Sequence, residues 1–353
     1  MIDEQINNTT KRALIIRFGS LGDIVLILPV VQLLKLNKYE VHFFTKEKFK
    51  EIVHCHGQSD QIFTISDSAS LSELFTRCRE LFANNDYELV LDLHNNVRSF
   101  FVRIIAKLNS CHKVQRVSKQ RIHDLFLFLL KPRVLKCFKI TSKRKIEINY
   151  FLAKKHLSSE KIIENQDPYR LHFLNLKQVS IPNSFTLKRY VVINPESIWK
   201  EKQWSIDKFY EVAEKIIALK NLHVVLIASK KLENHFSSSN VATNATDLSG
   251  KTSIADAVSL IQGAAIVISN DSGIMHIAES QAVPVVSIFG PTVRELGFST
   301  YRSTSQIVEK QMWCRPCSKS GKLCLRPFRR RLCLSVIQTG DVWDAVMIAL
   351  NKI

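Results

Sequence analysis

The chain is predicted to be an α/β protein with two consecutive doubly wound halves, each built on a parallel sheet. Its 353 residues are long for a single core, which favours about two domains. Short apolar runs alternate with helical patterns, and this alternation stops once and then starts again. Such alternation is typical of parallel βαβ units, so ligands are expected beyond the carboxyl ends of the strands.

In the first half, apolar runs rich in β-branched and aromatic residues predict strands. Apolar residues recurring every three or four positions predict helices. Pro29 lies too deep in the first predicted helix for its first turn, so the helix is expected to kink or restart there. The predicted strands are ALIIRF (13–18), EVHFFT (40–45) and YELVLDL (87–93), and the predicted helices are 24–36, 72–84 and 95–108.

The second half begins after a stretch without periodicity. The domain boundary is placed in VSIPNSFTLKR (179–189), which assigns 1–182 to a first domain and 183–353 to a second. The last helix is left open to pack back on the first domain. The predicted strands are YVVIN (190–194), LHVVLIAS (222–229), AIVISN (265–270) and PVVSIFG (284–290), and the predicted helices are 206–219, 253–264 and 274–282.

The chain is strongly basic, with 50 Lys and Arg against 32 Asp and Glu and a net charge of +18. Between Arg98 and Lys145 there are 14 basic residues and one acidic residue, Asp124, interleaved with the apolar runs SFFVRIIAKL and DLFLFLL. This pattern predicts either a peripheral contact with an anionic membrane surface or a solvated basic face. No nucleic-acid-binding motif accompanies the charge, so nucleic acid is not expected as a partner.

No stretch approaches about 18 uninterrupted apolar residues, so no membrane-spanning helix is predicted. The polar start MIDEQINNTTKR lacks the apolar region of a secretory signal. A cytoplasmic location is therefore expected.

The turn FGSLGD, after the first strand, is the first candidate site. Gly19 and Gly22 would let the backbone approach a ligand closely, and the start of the next helix would present N–H groups to an anion. Asp23 at that helix start is either an N-cap or a functional carboxylate. The spacing matches neither G-x-G-x-x-G nor the P-loop, which argues against nicotinamide and P-loop nucleotide sites.

Two later loops could bind a diphosphate. Lys200 and Lys202 follow the strand 190–194, where an ammonium could neutralise phosphate, although a solvated lysine is the common alternative. In SNDSGIMHIAE, Ser272 and the N–H groups around Gly273 open a helix and suit phosphate oxygens. Asp271 could equally be a simple cap and His276 a packing residue.

Four cysteines near the C-terminus have C-x2-C-x6-C-x8-C spacing, and three interpretations stay open. They could be a structural zinc site, reduced thiols that pack in a loop, or disulfide partners. The four are Cys314, Cys317, Cys324 and Cys333.

Taken together, four stretches resemble glycosyltransferase family 9, the ADP-heptose:lipopolysaccharide heptosyltransferases. The resemblance implies the GT-B architecture, in which two Rossmann-like domains face each other across a cleft, the acceptor on the first and the nucleotide-sugar on the second. It implies an inverting, metal-independent transfer of heptose from ADP-heptose to a phosphorylated, lipid-anchored lipopolysaccharide core, at the inner face of the cytoplasmic membrane and with no cofactor. The stretches are LIIRFGSLGDIVLILPVV (14–31), LVLDLHNNVRS (89–99), KEKQWSIDKFYEVAEKI (200–216) and 248–292.

The resemblance also implies residue roles. Asp23 would be the general base, with Gly19 and Gly22 keeping its turn open, and Arg98 and Ser99 would face the anionic groups of the acceptor. The residues implied in donor binding are Ser197, Lys202, Asp271, Ser272, Gly273 and His276.

Some residues depart from the family pattern around the donor. Glu196 stands where the family commonly has Gly, and IASKKLE (227–233) lacks the usual Gly after its strand. The donor's base and sugar therefore stay open. One alternative function is the same fold with another nucleotide-sugar, making a different surface glycan. A second is a non-catalytic protein that binds phosphate or nucleic acid.

Overall fold

The computed structural model describes residues 11–109, 111, 113–137, 143–157, 167–176, 190–220, 222–232 and 244–352. The predicted boundary segment 179–189 lies outside these residues. The chain divides into two compact units. The first consists of Met1–Lys119, Ile146–Tyr169 and Phe173–Asn175, and the second of Gln120–Lys145, Arg170–His172 and Leu176–Ile353.

The first unit is built on a parallel five-stranded sheet in the order β3-β2-β1-β4-β5. Its central strands are almost fully buried, as expected for a parallel sheet covered on both faces. The strands are β1 (Arg12–Ile16), β2 (Glu40–Lys46), β3 (Gln61–Ile65), β4 (Leu89–Asp92) and β5 (Lys113–Arg116). The helices of this part of the chain are α1 (Leu21–Val25), α2 (Leu28–Leu36), α3 (Lys50–His56), α4 (Leu71–Ala83) and α5 (Val97–Leu108).

The expected interruption at Pro29 is confirmed. α1 ends at Val25, and α2 begins at Leu28 with the proline in its first turn. Proline is tolerated there because the first N–H groups of a helix have no partner within it. The short α1 therefore forms its own turn directly after the first strand.

Two helices follow before the second sheet, α6 (Arg121–Cys137) and α7 (Lys145–Lys154). α6 groups with the second unit, although the predicted boundary counts it with the first. Its inner face packs Leu127 against Val293 and Leu296. Asp124 forms an ion pair of 2.5 Å with Lys319. Sequence periodicity does not report contacts with residues far along the chain, and so it could not assign α6 to the second unit.

The second unit contains a parallel six-stranded sheet in the order β11-β10-β9-β6-β7-β8. The strands are β6 (Tyr190–Asn194), β7 (His223–Leu226), β8 (Ala245–Asp247), β9 (Ile266–Asn270), β10 (Val285–Phe289) and β11 (Gln306–Glu309). The helices are α8 (Ile206–Lys220), α9 (Ile254–Gly263), α10 (Gly273–Ser280), α11 (Leu332–Ser335) and α12 (Thr339–Leu350). The last helix, α12, packs Val342, Val346 and Ala349 into the core of this unit.

The two sheets confirm the predicted α/β class. In each, the chain order of neighbouring strands reverses at one place, between β1 and β4 in the first and between β6 and β9 in the second. Loops on either side of such a switch point leave in opposite directions and open a crevice, which is where ligands bind in open α/β sheets. Among the described residues, no helix combines the length and apolar character needed to cross a bilayer.

Candidate active site

Asp23 lies in the loop and helix that follow β1, at the switch point of the first sheet. Gly19 has φ of +139°, a conformation that glycine adopts without strain, and a Cβ there would lie 3.1 Å from the ring of Phe49. Ser20 is the N-cap of α1, and its N–H and hydroxyl each donate to Asp23 Oδ2 at 3.0 Å. Gly22 is buried in the same helical turn. Asp23 is therefore not the N-cap itself but the third residue of the helix, whose Oδ2 completes the capping box with Ser20.

Arg17 is the main charged partner of Asp23. Its Nη2 lies 2.6 Å from Asp23 Oδ2, and its Nε donates to Gly19 O at 2.7 Å. Burial alone would raise the pKa of Asp23, but the Arg17 charge and the Ser20 hydrogen bonds outweigh it and hold that pKa below its ordinary value of 3.8. Within the described residues, every hydrogen bond and ion pair of Asp23 is made through Oδ2. The carboxylate is thus ionised, and Oδ1 is left without a protein partner among the described residues.

The loop after β4 is clamped to this turn from the other side of the switch point. Arg17 Nη1 donates to Leu93 O, and the Phe18 N–H donates to His94 Nδ1 at 3.0 Å. Burial, followed by the Arg17 charge, lowers the pKa of His94 to about 4, so the imidazole is neutral. Asp92, fully buried, accepts from the N–H groups of His94 and Asn95 and fixes the loop. The loop after β4 therefore holds the turn that carries Asp23 in a fixed position.

Arg98 and Ser99, the two residues implied in acceptor binding, open α5 directly after this loop. Arg98 Nη2 donates to Ala69 O at 3.0 Å, which uses one of five guanidinium donors. Ser99 is fully buried, and its hydroxyl forms a capping box with Asn96, the N-cap of α5. The structure therefore gives Ser99 the role of shaping the helix start, because a buried capping hydroxyl cannot face an acceptor.

In the second unit, Lys202 and Asp271 meet at the switch point of the sheet. Lys202 follows β6 and Asp271 follows β9, and Lys202 Nζ lies 2.6 Å from Asp271 Oδ2. Thr292 Oγ1 donates to the same oxygen at 2.6 Å. The ammonium is only 12% exposed and the carboxylate only 7%. Asp271 thus holds the Lys202 ammonium through a buried ion pair rather than acting as a simple cap.

Other side chains tie the same loops together. Ser197 Oγ donates to Asp271 O at 3.1 Å, and Asn270 bridges the loops by donating to Pro195 O and accepting from Trp204 N–H. Ser272 is the N-cap residue of α10, yet its side chain caps no N–H of the helix and instead contacts Ser269 Oγ at 2.9 Å. The first-turn N–H groups, beginning at Gly273, therefore receive no capping hydrogen bond from the Ser272 side chain.

His276 is placed differently from the other implied donor residues. It lies one turn into α10, and its side chain is buried. This buried position agrees better with the packing alternative for His276 than with a role in contacting a donor.

The cysteine-rich segment 314–333 packs over the loop that carries Lys202. A Cβ on Gly321 would lie 2.7 Å from Cγ and Cδ of Lys202, and the Lys322 ammonium lies 5.0 Å from the centre of the Trp199 ring. Gly321 has φ of +72°, which also favours glycine. This segment therefore holds the Lys202 stem in place.

The four thiols themselves are free cysteines. Burial raises the pKa of Cys317, and it raises that of Cys333 to about 11, so both thiols are protonated at neutral pH. Among the described residues, no three His, Cys, Asp or Glu side chains are arranged to hold a metal ion. For Cys314, Cys317, Cys324 and Cys333 the zinc, packing and disulfide interpretations therefore all stay predictions.

Four residues of these sites were not predicted as site residues from the sequence. Arg17 and His94 stand inside the stretches that carry the resemblance, but nothing in their spacing indicated a partner for Asp23. Thr292 and Gly321 act on Asp271 and Lys202 from distant parts of the chain. Only the strand order and the packing bring these residues to the sites.

Comparison with known proteins gives consistent results. The family model of glycosyltransferase family 9 (heptosyltransferase) matches residues 75–325. Lipopolysaccharide heptosyltransferase 1 of Campylobacter coli is 24% identical over 294 residues, which cover 79% of this chain and 83% of the relative.

Solved structures show the same likeness. The glycosyl transferase family 9 protein of Veillonella parvula superposes with a TM-score of 0.71 at 18% identity, covering 97% of this chain and 98% of that one. ADP-heptose lipopolysaccharide heptosyltransferase II of E. coli gives 0.66 at 15% identity, covering 97% and 99%. These likenesses confirm the predicted GT-B fold.

Proposed function

The chain belongs to glycosyltransferase family 9, and we propose that it transfers a heptose from ADP-heptose to a phosphorylated, lipid-anchored acceptor of the lipopolysaccharide core. We propose further that the transfer inverts the anomeric carbon and needs no metal ion. The observation that carries this proposal is that each of the two sheets has a charged group in the loops at its switch point. The first holds an ionised carboxylate, Asp23, and the second a fixed ammonium, Lys202, beside an uncapped helix start.

In this mechanism Asp23 is the general base. Its Oδ1 takes the proton of the acceptor hydroxyl while the hydroxyl oxygen attacks the anomeric carbon of the heptose. The bond between that carbon and the diphosphate oxygen breaks on the opposite face, so the configuration inverts. Arg17 keeps Asp23 ionised before the step, and Arg98 contributes positive charge for acceptor phosphates.

The second unit stabilises the leaving group. Negative charge develops on the departing diphosphate, and Lys202 together with the N–H groups at the start of α10 is placed to receive it. Fixed positive groups of this kind can do the work that a metal ion does in other transferases. The sequence, which contains no D-x-D motif, agrees with this proposal.

The direct test is nucleotide release from a panel of ADP-, GDP- and UDP-sugars, with and without deep-core lipopolysaccharide acceptors. The expected result is acceptor-dependent release of ADP from ADP-heptose, undiminished by a chelator, and a product of opposite anomeric configuration by NMR. Release from a different sugar nucleotide would instead support the alternative of another surface glycan. Failure of every donor would contradict the transferase proposal.

We also propose that the enzyme binds the anionic inner surface of the cytoplasmic membrane through exposed apolar faces in its basic stretch. One face of α6 exposes five large apolar side chains, while the only acid between Arg98 and Lys145, Asp124, points inward to Lys319. Basic residues flanking an apolar stripe are typical of helices that lie in a membrane interface. The five side chains are Ile122, Leu125, Phe126, Leu129 and Leu130.

Replacing Leu129 with Ser is expected to weaken binding to anionic phospholipid vesicles by about tenfold, because burying a leucine in an apolar phase contributes roughly 1.5–3 kcal/mol. Cosedimentation with vesicles measures the change. The matched control is Leu219→Ser on α8, since Leu219 is 66% exposed and Leu129 67%. Equal binding by both variants and the wild type would contradict the proposed membrane face, and a change in oligomeric state on substitution would indicate a protein partner instead.

A further inference from the structure

The cysteine-rich segment 314–333 is buried at both of its ends. At its start the Cys314 and Cys317 side chains are buried, and the Cys317 N–H donates to Pro291 O at 3.0 Å. At its end Cys333 packs into the core of the second unit. The loop between the two ends is therefore held at its base.

This loop, residues 322–330, exposes its large apolar side chains. Phe328 is 82% exposed, and Leu323 and Leu325 are each more than half exposed. Each of these side chains would be stabilised by removal from water. Three of them within six residues indicate a surface that another molecule covers.

The charge of the same segment indicates that this molecule is anionic. From Lys310 to Gly340 there are eight basic residues and no acidic residue. Arg330 contacts Glu201 at 3.3 Å, while Arg329 is exposed and forms no ion pair with a described residue.

An anionic bilayer fits this pattern better than a protein does. Apolar side chains interleaved with basic ones are typical of segments that lie in a membrane interface, where guanidinium groups bind lipid phosphates. A protein that covered the loop would need an acidic group placed opposite each buried arginine, because an unpaired buried charge is costly. A bilayer surface offers phosphates at every position.

The segment also adjoins the helix on which a membrane face is proposed above. Lys319 Nζ lies 2.5 Å from Asp124 Oδ2, and this ion pair joins the segment to α6 within the second unit. Two membrane contacts hold a unit in one orientation more firmly than a single helix does.

We propose that the loop 322–330 is a second membrane contact, in which Leu323, Leu325 and Phe328 enter the interface of an anionic bilayer. The inference rests on the proposed membrane binding but concerns a different segment, so the two can fail separately. The competing explanation is that the loop only covers the stem of Lys202 through Gly321.

The first experiment places a fluorophore in the loop by Phe328→Trp and adds vesicles of phosphatidylglycerol and phosphatidylethanolamine. The emission is expected to shift to shorter wavelength by more than that of the wild type, and brominated lipids are expected to quench it. Vesicles of phosphatidylcholine alone should cause neither change. Phe151→Trp, at an exposed phenylalanine on α7, is the control and should behave as the wild type does.

Cosedimentation with the same anionic vesicles measures the affinity. Phe328→Ser is expected to weaken binding by about tenfold and Arg329→Gln by about fivefold. The matched controls Phe151→Ser and Arg79→Gln change exposed residues of the same types on α7 and α4, and should bind as the wild type does.

The outcomes separate this loop from the α6 face. Wild-type affinity in both loop variants and no quenching of Phe328→Trp, with binding lost in Leu129→Ser, would overturn the inference and leave the α6 face intact. Failure of the wild type to bind anionic vesicles would overturn both. Self-association of the wild type that Phe328→Ser abolishes would assign the loop to a second copy of this chain and also overturn the inference.

Discussion

Replacing Asp23 with Asn is expected to lower kcat by about 10²- to 10⁴-fold, the range that a positioned general base contributes. The amide has nearly the same shape and can still accept from Ser20, so the helix cap survives in part. What it lacks is a site for the acceptor's proton. The measurement is acceptor-dependent ADP release under saturating donor.

Two controls separate lost chemistry from lost structure. Asp86→Asn makes the same change at an exposed residue. Asp86 precedes β4 and so lies at the amino ends of the strands, away from Asp23, and its replacement should leave kcat unchanged. ADP affinity should also be unchanged in Asp23→Asn, because the donor groups belong to the second unit. A variant that retained wild-type turnover would remove Asp23 from the mechanism.

The pH profile of the same enzymes tests how Asp23 is kept ionised. A base works in its deprotonated form, so activity is lost as the pH falls through the pKa of Asp23, which lies below 3.8 in the protein. In Arg17→Met the opposing charge is gone while burial remains, so this pKa should rise and the acid limb of kcat/KM should move to higher pH. Arg17→Lys, which keeps the charge, should give an intermediate limb. A merely structural role of Arg17 would lower the rate without moving the limb.

The strands that sequence analysis predicted and those that it missed differ in position within the sheets. The central strands β1, β4, β6 and β9 are buried on both faces and therefore appear as continuous apolar runs. The missed strands β3, β5, β8 and β11 are the four sheet edges. Their sequences QIFTI, KVQR, ATD and QIVE are short and mix polar with apolar residues, because an edge strand packs on fewer neighbours. Periodicity cannot distinguish such segments from loops.

As with the strands, the sequence predicted some residues of the candidate sites and missed others. Asp23, Lys202 and Asp271 follow central strands, and the rule that ligands bind beyond strand ends pointed to them without any knowledge of strand order. Arg17, His94 and Thr292 needed that order, since each contacts a residue of a neighbouring loop. Ser99 shows the opposite limit, because its place in a recognisable stretch did not disclose that its hydroxyl is buried in a cap.

Replacing Lys202 with Met should lower kcat by about 10²- to 10³-fold, comparable to the loss of one fixed group that stabilises developing negative charge. Methionine retains the packing of the stem against Gly321 while removing the ammonium. Because charge on the diphosphate grows as the bond to the sugar breaks, kcat should fall more than the affinity for ADP. Steady-state kinetics and ADP calorimetry on the same preparations measure the two quantities.

Lys200→Met is the matched control for this change. Lys200 is exposed, stands two residues earlier in the same loop and forms no side-chain ion pair among the described residues. Its replacement should leave kcat within about twofold of the wild type, since a surface charge contributes little. Equal losses in the two variants would mean that the general positive potential of the loop matters, and not the position of one ammonium.

The Lys202 prediction must also account for Asp271, which would lose its ion-pair partner while 93% buried by side-chain area. An uncompensated buried carboxylate destabilises a fold by about 3–5 kcal/mol, so Lys202→Met alone could lose activity through unfolding. Combining it with Asp271→Asn removes both charges and keeps an acceptor for the Thr292 hydroxyl. The double variant should therefore regain thermal stability without regaining turnover. If stability and turnover return together, Lys202 acts only by balancing Asp271, and the leaving diphosphate must be stabilised by the helix start alone.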